Sequence, residues 1–397
     1  MKEKVNSIEQ MNLELNCTGC RMCEKVCPSQ AIEMKENEEG FLYPVIDKDK
    51  CTNCGLCTNR CPQINYNAKK IEDQKAYAAK INDRNILMES SSGGIFSAIA
   101  RECIKNNGKV YGAVFDDDFR VKHLGIDNQN ELERLRGSKY VQSNTMNTFN
   151  EVKQDLLNNV KVVYSGTPCQ IEGLKSFLGK EYKNLLTIDL VCHGVPSPKL
   201  FMKYKEFLEK KFKSEITFFS FRDKEKRGWG ENLKICFRNG KKIRLFGFLD
   251  PYYKTFLDGN LCRKCCYNCK YANDSRVGDI TLADFWGLYE EYPEFYDKDG
   301  VSAVLINTTK GIRMWDNIKK DLIFIQVDLS KIKKHNHNLE EPTKETSIRK
   351  NIYKNVDKED FKKICKSNFK FKKTLKARVR NQFTDIKIEK IKAILKK

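Results

Sequence analysis

The chain has 397 residues, 17 cysteines and a formal net charge of +20. This length is enough for two or three domains, and the absence of any run of about 18 apolar residues predicts that no helix spans a membrane. Much of the charge is local, because residues 344–397 hold 19 Lys and Arg against 6 Asp and Glu and so account for +13 of the +20.

Two copies of one cysteine pattern occupy the first part of the chain. Each copy has the spacing Cys-x2-Cys-x2-Cys-x3-Cys-Pro, and the second begins 34 residues after the first. In two-cluster ferredoxin runs, the fourth Cys of each copy binds the cluster of the other copy. We therefore predict two 4Fe–4S clusters and a protein that transfers single electrons. The predicted ligands are Cys17, Cys20, Cys23 and Cys61 for one cluster and Cys51, Cys54, Cys57 and Cys27 for the other.

Zinc is the main alternative for these cysteines, since four-cysteine zinc sites also use short spacings. Zinc gives no reason for a third Cys in each run or for the repeated Cys-Pro ending. A disulfide framework is less favoured, because no signal-peptide pattern opens the sequence and we expect a cytoplasmic protein with reduced thiols. A cluster on four thiolates carries about −2 in its oxidised form, which offsets part of the formal positive charge.

The pattern of apolar residues divides the chain into four parts. Residues 1–66 are predicted to form an α+β, ferredoxin-like cluster domain, with a hairpin between the two cysteine runs at 31–46. Residues 75–159 and 160–330 alternate strands and helices, which predicts two modules of an α/β domain with a mixed sheet and flanking helices. Residues 331–397 are predicted to form a basic, helical C-terminal tail. The predicted strands are 76–81, 109–115, 160–165, 185–191, 216–221, 233–238, 242–248, 279–283 and 301–307, and the predicted helices are 94–105, 171–178 and 200–211.

A third group of cysteines lies in the α/β region. Cys169 and Cys192 each follow a predicted strand, at the end of the strand where open α/β sheets bind ligands. Further on, the dense pattern CxxCCxxC contains Cys262, Cys265, Cys266 and Cys269. Simple burial, the usual state of an isolated cysteine, accounts for Cys103, Cys236 and Cys365 but not for this cluster.

Four dispersed motifs accompany these cysteines. They are Gly166-Thr167-Pro168-Cys169-Gln170, Cys192-His193-Gly194, Cys266-Tyr267-x-Cys269 and Gly278-Asp279-Ile280-Thr281-Leu282-Ala283-Asp284-Phe285-Trp286-Gly287. Together they resemble the beta-subunit family of coenzyme F-420 hydrogenases and dehydrogenases, over roughly residues 75–325.

This resemblance implies an iron–sulfur flavoprotein that passes electrons between clusters and FAD. Members reduce the deazaflavin coenzyme or other conjugated substrates, and bacterial members of this Cys-rich type are associated with polysaccharide biosynthesis. The resemblance also implies a third 4Fe–4S cluster, with Cys262 and Cys265 left open as replacement ligands or packed neighbours. Its implied ligands are Cys169, Cys192, Cys266 and Cys269.

Two further segments are predicted to contact FAD. The run Ser90–Gly94 leads into a helix, where backbone NH groups favour an anion and glycine allows close approach. By itself a Ser run before a helix is more simply a cap, so this prediction depends on the resemblance. Lys139, in the second segment, is predicted to lie at a flavin phosphate or near the ring and is a catalytic candidate, and a solvated lysine is the alternative. The predicted FAD contacts are Ser91, Ser92, Gly93, Gly94, Ser138, Lys139 and Tyr140.

Other residues are candidates for catalysis or for contact with the substrate. His193 is predicted to donate a proton near the flavin, and the alternative is a His that bonds the local turn. The loop 221–224 with 228–229 is predicted to contact an anionic substrate, and the alternative is a solvated loop with an internal ion pair. Asp284 and Trp286 are expected to shape the cluster or flavin pocket. Neither GxGxxG after a strand nor GxxxxGK[ST] occurs, so a Rossmann NAD site and coupling to ATP are not supported.

The basic tail has two readings. From Phe383 onward its apolar spacing fits one face of a helix, which either lies on an anionic membrane surface or packs on the domain. Nucleic-acid binding ranks below both, since no reader motif accompanies the charge.

As a whole, the sequence predicts a cytoplasmic oxidoreductase, peripheral at the inner face of the membrane if the tail binds lipid. A flavin suits that chemistry because it accepts electrons singly and donates them in pairs. The predicted partners are a soluble electron carrier (a ferredoxin or deazaflavin) or a redox partner subunit, and a small organic substrate. The alternative function is a non-catalytic electron-transfer or adaptor subunit of a larger redox complex.

Overall fold

The computed structural model describes residues 7–68 and 71–368. The strands in these residues are β1 Ile32–Glu36, β2 Leu42–Ile46, β3 Lys75–Ile81, β4 Lys109–Phe115, β5 Val121–Ile126, β6 Val162–Gly166, β7 Leu185–Leu190, β8 Ile216–Ser220, β9 Asn232–Phe237, β10 Lys242–Phe246, β11 Ile280–Asp284, β12 Ser302–Ile306 and β13 Leu322–Gln326. The α-helices are α1 Leu13–Asn16, α2 Met22–Val26, α3 Leu56–Asn59, α4 Arg84–Glu89, α5 Ile95–Lys105, α6 Leu132–Leu135, α7 Thr148–Leu157, α8 Pro168–Leu178, α9 Pro198–Phe212, α10 Pro251–Leu257, α11 Leu288–Glu291, α12 Thr309–Ile318, α13 Leu329–Lys333, α14 Ser347–Lys354 and α15 Phe361–Asn368.

The hairpin predicted between the two cysteine runs is present as β1 and β2. The strands are antiparallel, and Ile32 pairs with Ile46. Gly40 lies in the turn with φ +87°, and a Cβ built on it would be 2.3 Å from the Cβ of Lys199 at the start of α9. The turn therefore needs glycine both for its left-handed backbone and for its close contact with the α/β region.

The centre of the protein is an eight-stranded mixed sheet, in the order β13-β3-β12-β11-β7-β6-β4-β5. Strands β4, β6, β7 and β11 are parallel to one another, and the outer strands pair antiparallel. The predicted mixed sheet with flanking helices is therefore confirmed, and it also contains β5 and β13, which the sequence pattern did not reveal. Because β6 and β7 are adjacent and parallel, the loops after them, which carry Cys169 and Cys192, leave the same edge of the sheet.

Helices cover both faces of this sheet. On one face, α5 and α12 contribute Ile99 and Trp315 to a core with the central strands. On the other face, α7 and α8 pack with α2, and their core includes Phe149, Ile171 and Met22. All five residues of β12 are buried, as expected for a strand covered on both sides. The N-terminal cysteine region is thus held against the helices that follow β5 and β6.

A second, three-stranded antiparallel sheet has the order β10-β9-β8. It contains the three strands predicted between residues 216 and 248, and it packs with α9 and α10 in an aromatic core that includes Phe201, Tyr252 and Phe256. The chain after 331 adds to this core, because Ile352, Tyr353 and Phe361 of α14 and α15 are buried in it.

The helix predicted from Phe383 onward lies outside the described residues. In the two ranges that the structure does describe, no helix is both long enough and apolar enough to cross a membrane.

Candidate functional site

The two cysteine runs fold in the same way. Left-handed backbone occurs at Gly19 (φ 68°) and Arg21 (φ 68°) in the first copy, and at the equivalent Asn53 (φ 56°) and Gly55 (φ 72°) in the second. The Sγ of Cys17 accepts a hydrogen bond from the backbone N of Gly19 at 3.4 Å. Equivalent left-handed positions let each short run curl around a corner of a cluster, which is the local shape that the repeated spacing predicts.

The structure brings Cys61 of the second copy to three cysteines of the first. Burial raises the pKa of Cys20 to about 12, and the neighbouring Cys17 and Cys61 thiols add to the rise. Burial and the same neighbours also raise the pKa of Cys23. In the second predicted set, Cys54 is exposed, and Cys27, Cys51 and Cys57 are partly buried. One predicted set is therefore internal, whereas the other lies at the surface.

A cleft lies between the α/β region and the first cysteine run. Its cavity volume is about 30 Å³, and Thr18 and Gln63 line one side of it. These two residues are sequence neighbours of Cys17 and Cys61. The cysteines that line the cleft are Cys169, Cys192, Cys265, Cys266 and Cys269.

Three separate elements deliver these cysteines to the cleft. Cys169 lies in the first turn of α8, where Pro168 is the first helical residue and Thr167 is the N-cap, as predicted. The side chain of Gln170 accepts a hydrogen bond from the backbone N of Thr167 at 3.0 Å and so closes the N-terminus of the helix. Cys192 follows β7 directly, and the other three lie in or beside the short 3₁₀ segment Lys264–Asn268.

Buried thiols dominate the electrostatics of the cleft. Burial raises the pKa of Cys169, and the nearby Cys269, Cys192 and Cys265 reinforce this rise. Burial also raises the pKa of Cys269 to about 12. Such thiols become thiolates when a cationic centre compensates their charge, which is the chemistry of a metal or iron–sulfur site.

The cysteines of the cleft are donors of the kind that a 4Fe–4S cluster uses. The described residues contain no group of three or more His, Cys, Asp or Glu side chains that converge on one metal ion. A 4Fe–4S cluster is bound differently, because its four thiolates bind separate irons at the corners of a cube.

Cys262 occupies a different environment from the other cysteines of its run. It is fully buried in the aromatic core, and its Sγ lies 3.7 Å from the carbonyl oxygen of His193. A Cβ built on Gly194 would be 2.5 Å from this sulfur. Cys262 therefore packs beneath the cleft, whereas Cys265 faces into it.

A buried arginine separates the cleft from the first cysteine run. Arg263 donates from Nε to the carbonyl oxygen of Cys17 at 2.7 Å and from Nη2 to that of Leu42 at 2.9 Å. Its Nη1 donates to Oε1 of Gln142 at 3.2 Å. Burial opposes the charge of Arg263, but the neighbouring Cys17 and Cys265 side chains outweigh it and raise the pKa of Arg263.

A second bridge joins the end of the second cysteine run to the cleft. Gln63 donates from Nε2 to the hydroxyl of Tyr271 at 3.0 Å, and Lys270 donates to the carbonyl oxygen of Gln63 at 2.6 Å. The rings of Tyr66 and Tyr271 meet edge to face at 5.3 Å. The cluster region and the cleft are thus held together by direct contacts on both sides.

The predicted flavin segments meet each other away from this cleft. Ser91 accepts hydrogen bonds on its Oγ from the backbone N of Ser138 at 2.8 Å and from its Oγ at 3.0 Å. Arg222 donates to the hydroxyl of Tyr140 at 3.1 Å and to the carbonyl oxygen of Ser91 at 3.3 Å. Lys224 donates to the carbonyl oxygen of Ser92 at 2.6 Å. Three motifs that are far apart in sequence therefore form one network.

The glycines of the first segment are explained by packing. A Cβ on Gly93 would lie 2.2 Å from the carbonyl oxygen of Ala79 in β3, and the backbone N of Gly93 donates to Oγ of Ser302 at 2.9 Å. Gly94 is the N-cap of α5 with φ +79°, and its Cβ would meet Ile81 at 2.7 Å. Both positions need glycine where α5 begins directly against the sheet.

A buried ion pair anchors the network. Arg222 binds both carboxylate oxygens of Asp284, at 2.6 and 2.8 Å, and Trp229 donates from Nε1 to Oδ1 of the same carboxylate at 2.6 Å. Trp229 and Trp286 stack with ring centroids 5.1 Å apart. The charged loop predicted to contact an anionic substrate therefore turns its arginine inward, onto Asp284 and the serine segment.

Lys139 lies at the end of α6 and not in an open pocket. Its Nζ donates to the carbonyl oxygens of Arg134, Leu135 and Arg136 at 3.0, 3.2 and 2.7 Å. Burial lowers the pKa of Lys139 to about 7. Its three donors are matched to carbonyl acceptors, which is the arrangement of a cation that caps a helix C-terminus.

His193 lies beside the cleft, next to Cys192. Its Nδ1 is within 3.4 Å of Asn338 Oδ1 and 3.3 Å of Thr343 Oγ1, while its Nε2 is buried without a hydrogen-bond partner among the described residues. Burial is the main cause that lowers the pKa of His193, and the nearby His337 lowers it further.

His193 is also connected to the serine network through one aromatic ring. The ring of Phe256 contacts that of His193 edge to face at 5.2 Å and stacks on Tyr140 at 4.8 Å. The two predicted catalytic residues are nevertheless held by different sets of partners.

Several residues of the site were not identified from the sequence. Arg263 lies inside the CxxCCxxC pattern, but a basic residue there is equally expected at the surface, so its burial carried no signal. Tyr271, Asn338 and Thr343 reach the cleft from segments that show no cysteine spacing. Their positions depend on long-range packing alone.

Family models match both the N-terminal cysteine region and the α/β region of the chain. The family model for the C terminus of the coenzyme F420 hydrogenase/dehydrogenase beta subunit matches residues 159–331, and the N-terminal model of the same subunit matches 76–150. Two models of the 4Fe–4S dicluster domain match residues 16–64 and 43–105. A comparison with curated proteins finds no match.

A solved structure is also similar to the chain. It belongs to the F420-reducing [NiFe] hydrogenase complex from Methanosarcina barkeri, with 16% identity and a TM-score of 0.45, over 67% of this chain and 89% of that one. The two beta-subunit models together match well over half of the chain. The protein therefore belongs to the coenzyme F420 hydrogenase/dehydrogenase beta subunit family, a family of oxidoreductase subunits, and carries an N-terminal 4Fe–4S dicluster domain.

Proposed function

We propose that the protein is an iron–sulfur flavoprotein oxidoreductase that passes electrons between a soluble carrier or partner subunit and a small organic substrate. The observation that carries the proposal is the cleft in which cysteines of the α/β region face the first cysteine run of the dicluster domain. Arg263 links the two regions, because it donates to the carbonyl oxygen of Cys17 in the first cysteine run and lies two positions before Cys265 in the wall of the cleft. Electron transfer requires cofactors that lie close together. A chance group of thiols would have no reason to lie beside the dicluster domain.

The proposed third cluster is a 4Fe–4S cluster in this cleft. Its ligands are Cys169, Cys192, Cys266 and Cys269, and Cys265 is the alternative to Cys266 because it faces the same cleft. Cys262 is assigned to the aromatic core, where it acts as a small apolar residue.

Iron and acid-labile sulfide per chain test this assignment on protein purified without oxygen. Twelve irons are expected for three clusters. Cys169→Ser should lose about four of them, whereas Cys103→Ser, which alters a buried cysteine of α5, should lose none. Separate Cys265→Ser and Cys266→Ser variants identify the fourth ligand as the one whose loss lowers iron. A wild-type chain with eight irons would rule out the third cluster.

FAD is proposed to bind beside the serine network. Ser91, Ser92, Ser138 and Tyr140 bring hydroxyl groups together there, and these supply hydrogen-bonding groups for a phosphate or a polar ring edge. When bound, the flavin would supply the exchange between single-electron and two-electron transfer. The proposed contacts of Gly93, Gly94 and Lys139 with FAD remain predictions.

Extracted flavin per chain tests this part of the proposal. One FAD per chain is expected in the wild type. Tyr140→Leu, which removes a hydroxyl but keeps an apolar side chain against Phe256, should lower flavin content without changing iron. Phe218→Leu, which alters an exposed ring of β8, is the matched control and should leave both unchanged. Full flavin content in Tyr140→Leu would place the flavin elsewhere.

His193 contacts Phe256 from the cleft, whereas the proposed flavin site includes Tyr140, which stacks on Phe256, so proton donation from His193 to the flavin remains a prediction. Its unpartnered Nε2 can donate to or accept from a bound group, while Asn338 and Thr343 orient the ring through Nδ1. The carrier is proposed to be a ferredoxin or a deazaflavin, and it delivers electrons at the exposed cysteine set that includes Cys54.

The second candidate function is an electron-transfer or adaptor subunit without a substrate of its own. The family's description as a beta subunit favours this candidate. Twelve irons with no flavin would support it, whereas one FAD per chain supports the enzyme. The links to polysaccharide biosynthesis and to an anionic membrane surface remain predictions from the sequence.

A further inference from the structure

Arg263 is a buried cation without an acidic partner. Its side chain is 0% exposed. Its hydrogen bonds go to two backbone carbonyl oxygens, of Cys17 and Leu42, and to the neutral side chain of Gln142. Within residues 7–68 and 71–368, no carboxylate lies within ion-pair distance of it.

Three other buried arginines, Arg222, Arg276 and Arg349, are each paired with a carboxylate. Arg349 binds Glu39 at 2.6 Å, and Arg276 binds Asp189 at 3.0 Å. A buried charge is costly unless an opposite charge compensates it, so the isolated charge of Arg263 calls for an anionic group nearby.

The surroundings of Arg263 show where that negative charge lies. Arg263 donates to the carbonyl oxygen of Cys17, a predicted ligand of the first ferredoxin cluster, and it lines the cleft together with Cys265. The guanidinium is also 4.0 Å from the ring centroid of Tyr43 and 5.4 Å from that of Phe41. A Cβ on Gly19 would lie 3.0 Å from Nη1, so the cysteine run leaves room for the guanidinium.

We propose that Arg263 is a positioning residue that stabilises the reduced states of the two clusters on either side of it. This inference rests on the proposed third cluster. Each cluster gains one electron from the preceding centre, which is oxidised by one electron, and its charge with four thiolates changes from about −2 to about −3. Arg263 gains neither electron nor proton. Its fixed positive charge interacts more strongly with the more negative state and favours reduction.

The test compares wild type, Arg263→Met and Arg263→Lys by anaerobic redox titration, with the reduced clusters followed by EPR. Methionine keeps much of the volume and removes the charge. We expect Arg263→Met to make reduction of both flanking clusters about tenfold less favourable, which is a shift of about 59 mV to more negative potential for one electron. The lysine variant should recover most of the shift, because it restores the charge without the three fixed hydrogen bonds.

Two controls separate charge from general disturbance. The surface cluster, with Cys51, Cys54, Cys57 and Cys27 as its predicted ligands, should keep its potential in every variant. The double variant Glu39→Gln, Arg349→Gln removes a buried ion pair with no net charge and should shift neither flanking cluster. If Arg263→Met fails to incorporate iron, Gln142→Glu replaces it as the test, since it places a carboxylate on the same guanidinium and should shift both potentials in the same direction.

The outcomes are distinguishable from failure of the proposed function. Eight irons in the wild type would overturn the third cluster and this inference with it. Twelve irons with unchanged potentials in Arg263→Met, or in Gln142→Glu where that variant replaces it, would overturn the inference alone. An equal shift of all three clusters would also overturn it, because a local charge acts on its neighbours first.

Discussion

Replacement of Arg222 by methionine tests how the serine network is held together. The Arg222 side chain is 2% exposed, and that of Asp284 is 15% exposed. Without Arg222, the carboxylate of Asp284 keeps the indole NH of Trp229 as a donor but loses its counter-charge. Removing one partner of a buried ion pair costs about 3–5 kcal/mol, because the other charge stays buried. At about 2 °C per kcal/mol, the thermal midpoint should fall by roughly 6–10 °C.

The assay is thermal unfolding followed by circular dichroism, at one heating rate and with protein of equal iron content. Arg222→Met combined with Asp284→Leu should recover most of the loss, since no charge is then left buried. Arg238→Met is the surface control, because its ion pair with Glu215 is exposed and should contribute less than about 1 kcal/mol. A fall below about 2 °C for Arg222→Met, or a double variant as unstable as the single one, would refute the reasoning.

Three further predictions concern single positions. Gly19→Ala should keep its iron but change the EPR spectrum of the first cluster, because the added Cβ would lie 3.0 Å from Nη1 of Arg263; an unchanged spectrum would contradict this. Burial lowers the pKa of His123 from 6.5 to about 4, so the unfolded chain binds more protons between these values and stability should fall by about 3 kcal/mol as pH drops from 6.5 to 4. Urea unfolding across this range measures the loss, and His123→Asn should flatten the profile; an equally steep profile in the variant would assign the effect to other groups. Gly93→Ala should lower the thermal midpoint by several degrees, because its Cβ would lie 2.2 Å from a carbonyl oxygen of β3. Gly112→Ala is the control and should lower it less, because the nearest atom to its Cβ is 3.5 Å away. Equal losses would show that packing does not explain Gly93.

Features that depend on a few neighbouring residues were predictable from the sequence. The repeated cysteine spacing identified the dicluster domain because four thiolates around one cluster constrain only a few neighbouring residues. The hairpin between the runs followed from alternation, and the start of α8 followed from Thr167 and Pro168, which are both local signals for the start of a helix. The family was recognisable for the same reason, since its motifs are short and contiguous.

The sequence predicted a basic, helical segment after 331 but not the surface on which its first part packs. Tyr353 and Ile352 of α14 are buried in the aromatic core, and Arg349 is paired with Glu39. An amphipathic helix shows its apolar spacing in the sequence, but the surface that receives it is formed by other elements. The edge strands β5 and β13 were missed because half-exposed strands carry a weak alternation.

The sequence by itself thus determined that this protein holds iron–sulfur clusters and belongs to an electron-transferring family, because ligand spacing is a local property. Only the tertiary structure decided that Cys265 faces the cleft while Cys262 is buried beneath it, although only two residues separate them. It also decided that Arg263 lies against Cys17, a contact between residues 246 positions apart. Whether a cysteine or an arginine is a ligand, a counter-charge or a packed side chain depends on which distant residues desolvate and surround it, and that is set by the fold.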